Sequence, residues 1–225
     1  MQTTGWTVIA MTAVPDKAAA QEVGREQHWN SAYRTKGETG VSWFEETPDL
    51  SLQLILETGA GPESPLIDIG GGASRIVDAL LRKGWSSLAV LDVSRAAIET
   101  AQARLGRDAA KVDWVVADVT GWTPERSYRV WHDRAAFHFL TQPAEREAYV
   151  ERLRLALAPG GHAIIATFAP DGPERCSGLP VQRYAPQTLA DTIGKGFELA
   201  GSRRHVHTTP WGSTQAFQFS LLRRV

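Results

Sequence analysis

The sequence predicts an α/β fold built on one largely parallel sheet with helices on both faces. Two observations predict it. Short apolar runs alternate with helix-like runs between residues 66 and 168, the pattern of strands joined by helical crossovers. The closing runs, 197–206 and 214–222, are joined only by Thr208-Thr209-Pro210-Trp211-Gly212. A link that short joins only antiparallel neighbours, so the sheet finishes in a hairpin.

Residues 1–20 have no clear period and read as a loose arm. Trp29 and Tyr33 lie at i, i+4 and mark one face of a short helix over 21–35. Residues 37–48 are irregular and carry Trp43-Phe44. A helix over 50–56 is stopped by Gly59-Ala60-Gly61-Pro62. Strand 66–69 then leads into a helix over 74–83, closed by Gly84, and strand 88–91 follows. Ser94 is a good N-cap for a helix that runs to Leu105 and stops at Gly106. Strands follow at 112–116 and 128–131. A helix over 144–157 is ended by Pro159-Gly160-Gly161, before a strand at 163–168.

At 225 residues, 43% hydrophobic and 22% charged, the chain can bury a full core and has no disorder bias. The formal net charge of −1 gives no pull toward nucleic acid or an anionic membrane. Arg203-Arg204 and Arg223-Arg224 read as solvated strand ends. No apolar run approaches the ~20 residues of a membrane helix. Residues 5–14 lack the basic start of a secretory signal, and Met11 is an alternative start. Cys176 is the sole cysteine, which excludes an intrachain disulfide and fits a reducing, cytoplasmic compartment. The chain divides into an arm with covering helices at 1–59 and a main domain at 60–225. The sequence sets no oligomeric state.

The richest stretch is Pro65-Leu66-Ile67-Asp68-Ile69-Gly70-Gly71-Gly72-Ala73-Ser74. A buried strand ends in an acid and breaks into three glycines, which let a ligand lie against the backbone. Ala-Ser-Arg follows, so the lysine of a phosphate-binding P-loop is missing. Arg75 stands where a dinucleotide fingerprint has its third glycine. Asp92 ends the second strand, where a carboxylate can accept both hydroxyls of a ribose. Asp118 follows the third strand, where a side chain meets an adenine edge. Asp68 also suits capping of its own turn, and Asp92 also suits a simple helix-preceding acid.

With the closing hairpin, these residues resemble the class I S-adenosylmethionine-dependent methyltransferase family over residues 60 to 225. The resemblance implies a Rossmann-like seven-stranded mixed sheet whose last strand is antiparallel. It implies S-adenosyl-L-methionine as cofactor. Asp68, Gly70, Gly71 and Gly72 would hold its amino-acid end, Asp92 and Val93 its ribose, Asp118 and Val119 its adenine. Ser74 replaces the family's last glycine.

Strand 128–131 ends in Trp131-His132-Asp133-Arg134-Ala135-Ala136-Phe137-His138. In the family this edge faces the transferring methyl. That makes His138, His132 and Asp133 the catalytic candidates, with a histidine as general base. Asp133-Arg134-Ala135-Ala136 locally resembles the thiopurine-type small-molecule methyltransferases. The Pro- and Gly-rich segment 169–184 is expected to wall the acceptor pocket. Trp29, Tyr33, Trp43, Arg134, Phe137, Cys176 and Arg183 are the acceptor-site candidates. The expected acceptor is a small molecule; a protein lysine is the alternative. Neither a nucleic acid nor a membrane is expected as partner. A nicotinamide-dependent oxidoreductase and a non-catalytic cofactor-binding protein are the readings from other classes. His205 and His207 share a strand face, but no ligand spacing with Cys176 or His138 supports a metal, and none is expected.

Overall fold

The computed structural model describes residues 17–225, with side chains from residue 24 onward. Most of the expected loose arm, the 5–14 segment and Met11 therefore lie outside the described residues. From Lys17 the chain is helical. The elements are α1 (Lys17–Lys36), α2 (Asp49–Glu57), β1 (Leu66–Ile69), α3 (Ile76–Arg82), β2 (Leu88–Asp92), α4 (Arg95–Leu105), β3 (Val112–Val116), β4 (Tyr128–Arg134), α5 (Pro143–Ala156), β5 (Leu157–Phe168), β6 (Arg175–Cys176), β7 (Leu179–Pro180), α6 (Pro186–Ile193), β8 (Phe197–Thr208) and β9 (Thr214–Arg224).

Seven strands form one sheet in the order β3-β2-β1-β4-β5-β9-β8. The pairs from β3 to β5 are parallel, and β9 runs antiparallel to both of its neighbours. The expected seven-stranded mixed sheet with an antiparallel last strand is observed. Strand order reverses between β1 and β4, and a ligand crevice opens at such a switch point.

The sheet is buried on both faces because its strands alternate between two cores. Leu66, Val90, Val130 and Ile164 pack with Leu54 and Ile55 of α2 and Ile76 and Leu80 of α3. Ile67, Leu91, Trp131 and Ile165 pack with Tyr149 and Leu153 of α5 and Leu189 of α6. Helix α1 is tied to the start of α4. Asn30 Oδ1 accepts the Ser94 hydroxyl and the Ala96 amide, both at 3.0 Å. Ser94 caps α4 by accepting the Ala97 amide at 3.2 Å, as its sequence position predicts.

Two boundaries and one element differ most from expectation. β4 runs three residues further, because His132, Asp133 and Arg134 stay in register with Ile164, Ile165 and Ala166 of β5. Polar side chains can continue a buried strand when each finds a partner. β5 begins at Leu157 rather than 163, with a register shift that places Pro159-Gly160-Gly161 in a bulge. Gly161 is needed there, since a Cβ would meet the Ala158 carbonyl oxygen at 2.8 Å. α6 was not expected; Pro186 starts it, and Thr188 Oγ1 accepts the Ala185 amide at 3.0 Å.

Candidate active site

A cleft opens at the carboxyl ends of β1, β2, β3 and β4. One wall holds Gly70, Asp92, Val93, Asp118 and Val119. The glycine turn lies tight against two acids. A Cβ on Gly71 would sit 2.4 Å from Asp68 Oδ2, and one on Gly72 would sit 2.5 Å from Asp92 Oδ2. Gly70 takes φ +64°, and a Cβ there would meet Ala136 Cβ at 2.8 Å.

Each acid is held by neighbouring donors. Asp68 Oδ1 accepts His132 Nδ1–H at 2.6 Å, and His132 Nε2 accepts the Ser51 hydroxyl at 2.9 Å. Asp68 Oδ2 is buried without a partner. A buried carboxylate oxygen in that position suits a donor from outside the chain, as an ammonium would be. Asp92 Oδ1 accepts the Ser94 amide at 2.7 Å. Burial pushes the Asp92 carboxyl up to about 7; the Ser94 and Gly72 amides oppose the shift, and the charge of Asp68 adds to it. Asp118 Oδ1 accepts the Thr120 amide and hydroxyl at 2.9 and 2.7 Å. Its Oδ2 pairs with Arg25 of α1, which also pairs with Glu145 of α5.

The facing wall is aromatic. Trp29 packs edge-on to Trp43 at 5.6 Å and to Phe139 at 4.9 Å. Trp43 Nε1 donates to the Tyr33 hydroxyl at 3.2 Å. Burial holds the Tyr33 hydroxyl far above its usual range, and it pushes the Cys176 thiol up to about 11. Arg134 donates to the Trp43 carbonyl at 2.7 Å, pairs with Glu45 at 2.8 Å and lies 5.1 Å over the Phe217 ring.

A family model described as a methyltransferase domain matches residues 66–161. EEF1A lysine methyltransferase 2 of Danio rerio is 27% identical over 80% of this chain and 78% of that protein. Nodulation protein S of Rhizobium tropici is 28% identical over 62% of this chain; the chain spans 55% of that relative. Among solved structures, Burkholderia thailandensis 1,6-didemethyltoxoflavin-N1-methyltransferase has TM-score 0.67 at 19% identity, covering 97% of this chain and 93% of that one. The N-methyltransferase NodS of Bradyrhizobium japonicum, in complex with S-adenosyl-L-homocysteine, has TM-score 0.67 at 16% identity, covering 87% and 97%. The chain carries a methyltransferase domain on the Rossmann-like fold of the S-adenosylmethionine-dependent methyltransferases. It is an S-adenosylmethionine-dependent methyltransferase, and the oxidoreductase and non-catalytic readings are set aside.

On this methyltransferase the sequence-predicted residues separate into two groups. Gly70, Asp92, Val93, Asp118, Val119, Trp29, Tyr33, Trp43, Arg134 and Cys176 line the cleft. Asp68, Gly71 and His132 line an adjoining space under the glycine turn, and Gly72 is wedged against Asp92.

Four residues lie elsewhere and correct the expectation. His138 is fully buried and outside the cleft lining. Its Nδ1 accepts the Phe168 amide at 3.4 Å, and burial with the charge of Arg134 holds it down to about 3. A base must open onto the cleft, and His138 is not among its lining residues. Asp133 braces the turn instead of facing the methyl. It accepts the Ala136 amide at 2.8 Å, the Phe137 amide at 3.1 Å and the Tyr149 hydroxyl at 2.7 Å. That brace holds Ala135 at φ +71°, a costly conformation for a non-glycine residue. Phe137 is fully buried, 4.7 Å from the Tyr149 ring. Arg183 donates to the Gly172 carbonyl and pairs with Glu174, both at 3.0 Å, within its own loop. His132, though near the cleft, is held between Asp68 and Ser51 and supports the acid.

Arg25, Phe139 and Phe217 also line the cleft and were missed by the sequence reading. Arg25 had a signal: it continues the Trp29 and Tyr33 stripe one helical turn earlier. Phe217 had none, because only the β5–β9 pairing carries it to the site.

Proposed function

We propose that this methyltransferase moves the methyl group of S-adenosylmethionine to a small-molecule acceptor by in-line displacement inside this cleft, with S-adenosylhomocysteine as the leaving group. The observation that carries the proposal is continuity. One cleft runs from Asp92 and Asp118 past the glycine turn to Trp29, Trp43, Cys176 and Arg134. Its largely apolar wall with a few convergent polar groups suits an enclosed acceptor rather than a long peptide.

The bound cofactor supplies an activated methyl on a sulfonium. The residues present fit its other parts. Asp68 Oδ2 would take the ammonium, the Gly70–Gly72 backbone the amino-acid end, Asp92 the ribose hydroxyls, and Asp118 with Val119 the adenine. Arg25 must share or release Asp118 Oδ2 when an adenine amine arrives. Residues before 60 act as the cover: Trp29 and Trp43 line the cleft, would exclude water, and offer aromatic rings that a positive centre favours. Arg134 positions the acceptor, fixed by Glu45 and the Trp43 carbonyl.

Among the described acceptor-wall residues, Tyr33 and Cys176 are both held protonated near neutral pH. The acceptor therefore brings its own lone pair, as an amine, thiolate or carboxylate does. A protein lysine is the second reading, supported by likeness to the zebrafish lysine methyltransferase over 80% of the chain. We place the enzyme in the cytoplasm, in keeping with the free thiol of Cys176. Among the described residues no helix is long and apolar enough to cross a membrane.

The test is a cell lysate incubated with the enzyme and a tritiated methyl donor, then separated by size. Label in the small-molecule fraction is expected. Label confined to protein would replace this acceptor by lysine, and no label in either fraction would contradict the proposed transfer.

A further inference from the structure

Beyond the methyl-transfer cleft, three potential ligands meet where β8 crosses the loop before α2. His205 and His207 are two residues apart on one face of β8. Glu45 joins them from 160 residues away in sequence. Its Oε1 lies 3.7 Å from His205 Nε2 and 3.5 Å from His207 Nδ1. All three ligand atoms fall within 4.8 Å of one another. Neighbouring ligands of a tetrahedral zinc ion bound at ~2.0–2.1 Å stand about 3.3 Å apart, so a small movement closes the set.

The hydrogen bonding around His207 points the same way. Its Nε2–H donates to the Ser42 carbonyl at 2.7 Å. That bond makes Nε2 a proton-bearing nitrogen and leaves Nδ1 as the ligand atom, facing Glu45 Oε1. A metal ion would take the place that a proton on Nδ1 holds in a His207–Glu45 ion pair. An outer backbone acceptor that orients a ligand histidine is the usual support of a metal site. His205 is about one-third exposed and gives an ion a path from solvent, whereas His207 is buried and sets the inner wall.

We propose that Glu45, His205 and His207 bind a divalent transition-metal ion of the nitrogen-preferring kind, with zinc as the best fit. Arg134 pairs with the same Glu45 oxygen at 2.8 Å and opposes a cation. That opposition selects against calcium and magnesium, which rely on carboxylate charge, and favours ions that gain most from two imidazoles. The loop from Ser42 to Glu45 carries Trp43, and Glu45 holds Arg134. A metal here would therefore staple the acceptor wall to β8 without touching the methyl.

The experiment uses the full chain, stripped with chelator and dialysed. Zinc chloride is titrated by calorimetry, and cobalt chloride is followed by its visible absorption. One ion per chain is expected, with the intense bands of a low-coordinate cobalt site. His205→Ala and Glu45→Gln should each weaken zinc binding at least about tenfold, whereas His162→Ala, on β5, should leave it unchanged. His205→Ala removes an exposed ring and so keeps the test valid if Glu45→Gln loosens the loop. No saturable zinc heat and no cobalt bands would overturn the proposal. Unchanged affinity in His205→Ala, or a loss in His162→Ala, would also overturn it.

Discussion

The two halves of the sheet's carboxyl edge carry similar residues and use them differently. On the β1–β2–β3 side, Asp68, Asp92 and Asp118 each keep an oxygen at or near the cleft, with glycines packed against the first two. On the β4 side, Asp133 and His138 turn inward and hold the turn and the adjoining core. Both halves read as acids and histidines following apolar strands. The difference lies in what sits opposite. Glycines leave a carboxylate space to face a ligand, whereas the Tyr149 hydroxyl and the amides of Ala136 and Phe137 consume Asp133 from within.

The largest expected effect is on the first half. Asp92→Ala removes the carboxylate assigned to the ribose and should weaken S-adenosylhomocysteine binding about 100-fold, from the loss of two charge-assisted hydrogen bonds. Calorimetry checks it, and a change under about threefold would break the division of the edge.

The second half should answer through stability. Asp133→Ala strands two amides and a phenol in the core and should cost about 3 kcal/mol. For a chain of this size that is a Tm lower by about 6–12 °C. Cofactor affinity at a temperature where the variant is folded should stay within about threefold of wild type. A large affinity loss without a Tm change would move Asp133 back into the binding site.

The pH dependence sharpens the role of Asp92. Its carboxyl stands at about 7 against an ordinary 3.8. The ionised form accepts the ribose hydroxyls, so affinity should rise as pH climbs from 6 to 8 and level off above, by up to about tenfold per unit below the pKa. Without cofactor the sign for stability is opposite. The contribution of Asp92 is fully present below 3.8 and is lost as pH rises through about 7. Calorimetry in buffers of different ionisation enthalpy should show proton release on binding near pH 6.

Two smaller effects finish the comparison. Arg25→Ala frees Asp118 Oδ2 and should tighten S-adenosylhomocysteine about threefold; a weakening would show that Arg25 belongs to the closed cover. His138→Phe should leave kcat within about twofold, because a buried ring outside the cleft, its basicity lowered, is not placed to take a proton from the acceptor. A loss of a hundredfold would restore the histidine as base.

The cofactor half was legible in the sequence because its chemistry is local. Asp68 to Gly72, Asp92 and Asp118 each sit at a strand end, and strand periodicity fixes those ends. The β4 half was legible in position but not in role. Whether Asp133 faces the cleft depends on Tyr149, sixteen residues on, whose hydroxyl reaches back across α5 to the strand. The apolar ends of β4 and β5 were misjudged for a related reason: the polar run 132–134 and the Pro159-Gly160-Gly161 bulge break simple pattern rules while pairing in the sheet. Glu45 beside His205 and His207 had no sequence signal, because a contact between a loop and the sheet's far edge leaves no periodicity.

A crystal structure with S-adenosylhomocysteine tests the central claim most directly. The account predicts both ribose hydroxyls on Asp92, the ammonium at Asp68 Oδ2 over the glycine turn, and Arg25 displaced from or sharing Asp118. A ligand bound outside this cleft, or one whose polar groups contact Asp133 or His138 instead, would contradict it.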